Sequence, residues 1–122
     1  MMSDAKLIVL ETHVDERRGN LTVVNEFPFK IKRLFWIYDI PLDVIRGGHG
    51  HEKTHQLLVA VSGSVMVKLG DGDTFVLSCP DVGLYIPPKH IVNYIPLVEK
   101  STLLVMCSEK YEGSDYIFEV DK

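Results

Sequence analysis

Apolar residues along this chain come in short runs, and the polar residues between them are rich in Gly, Pro, Asn and Asp. Residues 7–10 are apolar and β-branched, and Arg18-Gly19-Asn20 reads as a turn before a run at 21–24. Residues 31–38 form an aromatic-rich run that stops near Asp39 and Pro41. The run at 56–61 meets Ser62-Gly63-Ser64, after which Val65, Val67 and Leu69 alternate with Met66 and Lys68. Gly70-Asp71-Gly72-Asp73 predicts a second turn, leading into 74–77. Pro80-Asp81 precedes a strand at 82–86, and Pro87-Pro88 breaks the chain before another at 90–95. The run at 101–107 is almost wholly apolar, which predicts a central strand buried on both faces. No stretch has a sustained helical period, and the segment 109–122 has room for at most a turn of helix. Short strands at this spacing predict an all-β sandwich or barrel, a single domain over residues 1–122.

Composition agrees with that picture. The 122 residues are 46% hydrophobic and 25% charged, ordinary for a globular domain with a real core. A formal net charge of -4 argues against nonspecific nucleic-acid binding but leaves room for a local basic site that takes a phosphate. The apolar runs are too short to span a membrane, and the N-terminus lacks the pattern of a signal peptide. Cys79 and Cys107 form no CxxC pair and both sit in apolar sequence. They read as buried free thiols of a cytoplasmic protein.

The chemistry concentrates in Arg46-Gly47-Gly48-His49-Gly50-His51. In an extended segment His49 and His51 point to one face. Imidazole donates and accepts protons near neutral pH, so the pair is either an acid/base site or half of a metal site. Small barrels of the cupin type that bind metal add a Glu and a third His. The matching position here is Gln56, a neutral and poor ligand, and the later strand has Val92, with His90 two residues before it. Acid/base chemistry without a metal or other cofactor is the stronger reading. One imidazole takes a proton from a substrate carbon while the other acts as acid or orienter. Arg46 or Arg33 then serves an enediolate or a phosphate.

Other candidates follow from alternation. Arg33 shares a face with Ile31 and Phe35, and a barrel interior that accepts an arginine is usually a ligand cavity. Trp36 and Tyr38 share the opposite face, one of the two faces being core and the other free to stack on a base or sugar. Arg18, in Arg17-Arg18-Gly19-Asn20, reads either as a diphosphate contact or as part of a solvated charged turn. His13 reads as a surface residue, and Asp115-Tyr116 as packing or an oligomer contact rather than catalysis.

Several short motifs occur in order: Arg18-Gly19-Asn20-Leu21, Pro28-Phe29, Ile31-Lys32-Arg33, Tyr38-Asp39, Arg46-Gly47 with His49-x-His51, Gly63-Ser64, Val82-Gly83-Leu84-Tyr85 and Ser114-Asp115-Tyr116-Ile117. Together they resemble the small WxcM-like sugar-nucleotide cupins, over nearly the whole chain. The resemblance implies a cupin jelly-roll barrel, commonly a homodimer with exchanged strands. It also implies a metal-free 3,4-ketoisomerase acting on a nucleotide-linked sugar such as a dTDP-4-keto-6-deoxyhexose, in deoxysugar biosynthesis. By resemblance His49 is the base and His51 its partner in the relay, with Arg46 beside them. The sequence departs from the family at His55-Gln56, where relatives carry Glu-Gln, and at Ile91-Val92-Asn93, where they carry an aromatic, His and Glu. Those positions line the barrel mouth in a cupin, so His55, Gln56 and Asn93 join the expected substrate-binding set, and His55 or His90 is a replacement for the missing groups. Competing readings are a sugar 3,5-epimerase, a non-catalytic sugar-nucleotide-binding cupin and a metal-dependent cupin oxygenase.

Overall fold

The computed structural model describes residues 4–118. Ten of its strands form two five-stranded sheets in which every pairing is antiparallel. The first sheet runs in the order β1 (Lys6–Val9), β9 (Val82–Ile86), β6 (Gln56–Ser62), β11 (Thr102–Cys107) and β4 (Arg33–Ile37). The second runs β12 (Tyr116–Phe118), β5 (Arg46–His51), β10 (Val92–Pro96), β7 (Val65–Leu69) and β8 (Thr74–Leu77). A separate hairpin joins β2 (Glu11–His13) to β3 (Leu21–Val23). The expected all-β jelly roll of the cupin type is present. Among the described residues no ladder joins one sheet to the other, so the barrel is not closed by hydrogen bonds.

Alternation sets the core. Leu58, Ala60, Leu84, Leu103, Val105 and Cys107 from the first sheet face Val65, Val67, Leu69, Val92 and Tyr94 from the second. Of the residues between them on β6 and β11, Leu57, Val59 and Met106 are also buried and Leu104 is half-buried. Leu57, Val59 and Met106 pack with Leu10, Val24, Phe29 and Ile31 in a smaller cluster on the outer face. Cover on both sides is why the sequence of these strands is a continuous apolar run rather than an alternating one. The unbroken run of β11 is thus explained, and the strand is interior to its sheet, between β6 and β4.

One sequence expectation needs correction, and another is met and extended. Cys79 is exposed, because it sits past the end of β8 in the connection to β9, while Cys107 is buried; both are free thiols. The C-terminal segment forms a single 3-10 turn at Gly113–Asp115 and then continues as β12, a strand that pairs with β5. Among the described residues no helix is long and apolar enough to cross a membrane.

Candidate active site

Strand β5 carries the histidines, and its irregularity decides what accompanies them. Val92 stands opposite His49 and Asn93 opposite Gly47, so Gly48 is an extra residue without a partner. This is a β-bulge, and it reverses the alternation of side chains on one strand. Arg46 is three residues before His49 and in a regular strand would point to the other face. Past the bulge it stands opposite Tyr94 and lines the same cavity as His49. Gly47 and Gly48 adopt φ of 107° and 79°, left-handed values that glycine tolerates. A Cβ on Gly47 would collide with the Val92 carbonyl oxygen.

His49 and His51 share the inner face, their rings 6.1 Å apart. His51 is the deeper, only 5% exposed. Its Nδ1 lies 2.9 Å from Asp115 Oδ2. Asp115 is buried at the end of the 3-10 turn and also accepts from the Lys53 backbone N–H at 2.8 Å and from the Thr54 hydroxyl. Burial pushes the Asp115 carboxyl up, but these hydrogen bonds outweigh it and leave the acid below its ordinary range. The carboxylate is therefore ionised and only accepts, so His51 donates from Nδ1 and keeps Nε2 for chemistry. Burial also lowers the His51 pKa, and this outweighs the raising effect of Asp115. The ring is neutral near pH 7, the state a general base requires.

Tyr116 pairs with His51 across the β12–β5 ladder and fills the space between the histidines. Its ring stacks on His49 at 4.9 Å and meets His51 edge-on at 4.6 Å. Arg33 donates to the Tyr116 hydroxyl at 3.3 Å. The guanidinium itself rests over the rings of Phe35 and Tyr111, at 4.7 and 5.3 Å. Among the described residues neither Arg33 nor Arg46 has a carboxylate partner. Both line a cavity of about 450 Å³ with His49, Tyr94 and Tyr116, and Arg33 is joined there by Phe35, Trp36 and Ile37 of its own strand, β4. Burial holds the Tyr94 hydroxyl in its protonated form by raising its pKa far above the ordinary value.

The sequence-predicted residues divide cleanly. His49, Arg46, Arg33 and Tyr38 meet at the cavity, and His51 lies beneath them. Tyr38 and Trp36 stand at its rim together with Phe35 and Ile37 from the opposite face of the strand, because β4 is a sheet edge. Four residues expected at the site are elsewhere. Arg18 is exposed in the β2–β3 turn and paired with Asp15 at 2.7 Å. His55 lies on the outer side of the first sheet, its Nδ1 2.7 Å from the Tyr85 hydroxyl and its ring beside Phe29. Gln56 faces inward but is buried against Cys107, away from the cavity. Asn93 occupies the face of β10 opposite the core residues Val92 and Tyr94, so it does not line the barrel mouth. His90 replaces nothing either, since its Nε2 turns to Asp4 at 3.0 Å and its Nδ1 toward Asp71 at 3.9 Å.

Asp115, Tyr116, Tyr94 and Tyr111 were missed as functional residues by sequence reasoning. The available signal was Asp115-Tyr116 beside a residue pattern compatible with a short strand, read instead as packing. Among the described residues no three His, Cys, Asp or Glu side chains stand together as a metal-ligand set.

A neutral imidazole with a buried carboxylate behind it, and arginines without a carboxylate partner among the described residues in front, suits proton transfer on an anionic substrate, in a cupin-type barrel. The chain belongs to the FdtA family, described as WxcM-like, C-terminal, whose model matches residues 3–122. It is 34% identical over 122 residues to a TDP-4-oxo-6-deoxy-alpha-D-glucose-3,4-oxoisomerase of Aneurinibacillus thermoaerophilus, covering 95% of this chain and 87% of that protein. Its structure is similar to that of QdtA, a sugar 3,4-ketoisomerase from Thermoanaerobacterium thermosaccharolyticum solved in complex with TDP. The TM-score is 0.90 at 36% identity, over 96% of this chain and 89% of that one. The TDP-quinovose 3,4-ketoisomerase WlaRB of Campylobacter jejuni matches with a TM-score of 0.89 at 31% identity, over 97% and 95% of the two chains.

Proposed function

We propose that this protein is a sugar-nucleotide 3,4-ketoisomerase, acting on a TDP-4-keto-6-deoxyhexose. The observation that carries the reading is the His51–Asp115 pair, a neutral base of fixed tautomer, placed behind a cavity that holds two unpaired arginines. The base removes the proton from C3, next to the C4 ketone. The resulting enediol takes a proton at C4, and the ketone moves to C3. The base role falls on His51 rather than on His49, the assignment made by sequence resemblance. His51 is the one with a carboxylate to fix its tautomer, while His49 Nδ1 has only the Gly47 carbonyl oxygen, at 3.3 Å. His49 lines the cavity wall as orienter and acid. Arg46, at the exposed rim, suits the diphosphate. An enzyme of this kind works where nucleotide sugars are made, in the cytoplasm.

The test is incubation with TDP-4-keto-6-deoxyglucose in deuterated water, followed by NMR. The expected result is a shifted ketone with deuterium at C4. Failure to exchange or isomerise this sugar and its UDP and GDP counterparts rejects the reading in favour of a binding module. His51→Asn abolishes exchange if His51 is the base. Full exchange in that variant, with loss in His49→Asn, returns the role to His49.

The active species is a homodimer in this reading. The outer face of the first sheet exposes Leu34, Trp36 and Val61, and Leu34 and Val61 line an apolar groove of about 440 Å³ with Leu104 and Met106. Such a face suits a second copy of the chain. Light scattering is expected to give twice the 13.8 kDa chain mass, and Leu34→Glu to shift the protein to monomer. A monomeric wild type rejects this part.

A further inference from the structure

Tyr116 touches both histidines that the proposed isomerisation uses, and one of the two arginines of the cavity. Its ring stacks on His49 and meets the edge of His51, and its hydroxyl accepts a hydrogen bond from Arg33. A tyrosine hydroxyl has one proton to give as well as lone pairs to accept with. Among the described residues nothing takes that proton. The hydroxyl stands in the wall of the cavity, with one lone pair held by a cation and its O–H free to donate.

The chemistry needs such a donor. When the C3 proton leaves, its bonding pair becomes a C3–C4 double bond, and the C4 carbonyl π pair moves onto O4. O4 acquires the charge of an enediolate. The step completes when the double-bond pair takes a proton at C4, the C3 hydroxyl loses its proton, and that proton ends on O4. A donor aimed at O4 before the charge forms lowers the barrier without reorganising in the step.

We propose that the Tyr116 hydroxyl is the electrophile of this site, donating to the substrate carbonyl oxygen, with Arg33 as the positioning residue that polarises it. The proposal rests on the ketoisomerase reading given above. Arg33 suits the task by its setting. Phe35 and Tyr111 hold its guanidinium on their faces, and among the described residues no carboxylate neutralises it. Its positive charge therefore acts on the Tyr116 oxygen at 3.3 Å and strengthens the O–H as a donor. Arg46, on the exposed rim, is left for the phosphates, so the two arginines divide the substrate between them.

Tyr116→Phe is the direct test, because it keeps the ring that packs on both histidines and removes only the hydroxyl. The expected result is a fall in kcat of about 100-fold, the usual loss for one oxyanion donor, with KM within about 3-fold. Exchange of the C3 proton with solvent slows in parallel, since the donor acts in the first half of the reaction. Arg33→Lys lowers kcat in the wild-type background and has little effect beside Tyr116→Phe, the non-additivity of two groups acting as one. A kcat within about 3-fold of wild type in Tyr116→Phe overturns the proposal, as does C3 exchange at the wild-type rate with slow product formation. Fully additive effects of the two substitutions overturn the role of Arg33. An inactive wild type rejects the ketoisomerase reading and this inference together, an outcome distinct from any that depends on the variants.

Discussion

His51 and Asp115 are 64 positions apart in sequence and share a hydrogen bond of 2.9 Å in the interior of the site. The carboxylate does not stand free to swing, because the Lys53 N–H and Thr54 hydroxyl hold it. It fixes which nitrogen of His51 bears the proton. Asp115→Asn keeps the size of the group but offers an amide, which donates as readily as it accepts and so permits the wrong tautomer. The expected loss in kcat is about 10²- to 10⁴-fold, the range for losing a correctly poised general base. Isomerisation kinetics on the folded variant check this, and a rate near wild type removes Asp115 from the mechanism.

The lowered pKa of His51 sets the acid limb of the pH profile. The unperturbed value is 6.5, and burial brings the folded value below it. The base form therefore persists as pH falls through 6.5, and kcat/KM declines only at lower pH. Stability follows the same sign. The unfolded chain binds a proton at His51 more readily than the native one, so the contribution is complete above 6.5 and is lost as pH falls through the folded value. Asp115 adds a second loss at lower pH, below its ordinary 3.8, since its folded pKa is also depressed. A kcat/KM limb centred above 6.5 contradicts this reading, and thermal melting followed from pH 7 downward checks the stability part.

Much of the fold was legible because burial leaves a period in the sequence. The continuous run of β11 and the alternation of β7 reported a doubly covered strand and a singly covered one. The same rule placed Arg33 inside, as its face is shared with Phe35. It failed where alternation breaks. The bulge at Gly48 brings Arg46 to the histidine face, and spacing alone would have put it on the other. His55 was expected at the site because relatives carry Glu where it stands, but it lies just before β6 and joins Tyr85 on the outer side. Asp115 was read as packing for a different reason. Its partner His51 is 64 positions away, and the local sequence does not report that contact.

The two glycines of the bulge differ in what a side chain would meet. At Gly47 a methyl runs into the Val92 carbonyl oxygen, and the backbone is also left-handed. At Gly48 the nearest atom is Asn93 Oδ1 at 3.8 Å, an ordinary contact, so only the backbone conformation penalises alanine. Gly48→Ala is expected to cost about 1–2 kcal/mol. Gly47→Ala costs more, because the β5–β10 ladder must part to make room, and it displaces Arg46. Denaturant melts of the two variants check the order, with a higher KM expected for Gly47→Ala. Equal stabilities would show that the ladder gives way without cost.

Arg46 is the remaining test of how the cavity divides its substrate. It lies at the exposed rim, opposite Tyr94, with no carboxylate partner among the described residues. A hydrogen bond to a charged group is worth about 1.5–3 kcal/mol, so Arg46→Met is expected to weaken TDP binding by about 10- to 100-fold. The chemical step lies at the histidines, so kcat at saturating substrate stays within a few-fold of wild type. Salt provides the control. An exposed ion pair is screened, and wild-type affinity for TDP falls with ionic strength more steeply than that of the variant. Calorimetric titration with TDP alone separates the outcomes without relying on turnover. Unchanged affinity in Arg46→Met moves the phosphate contact to Arg33 and leaves the Tyr116 hydroxyl to act without a dedicated cation.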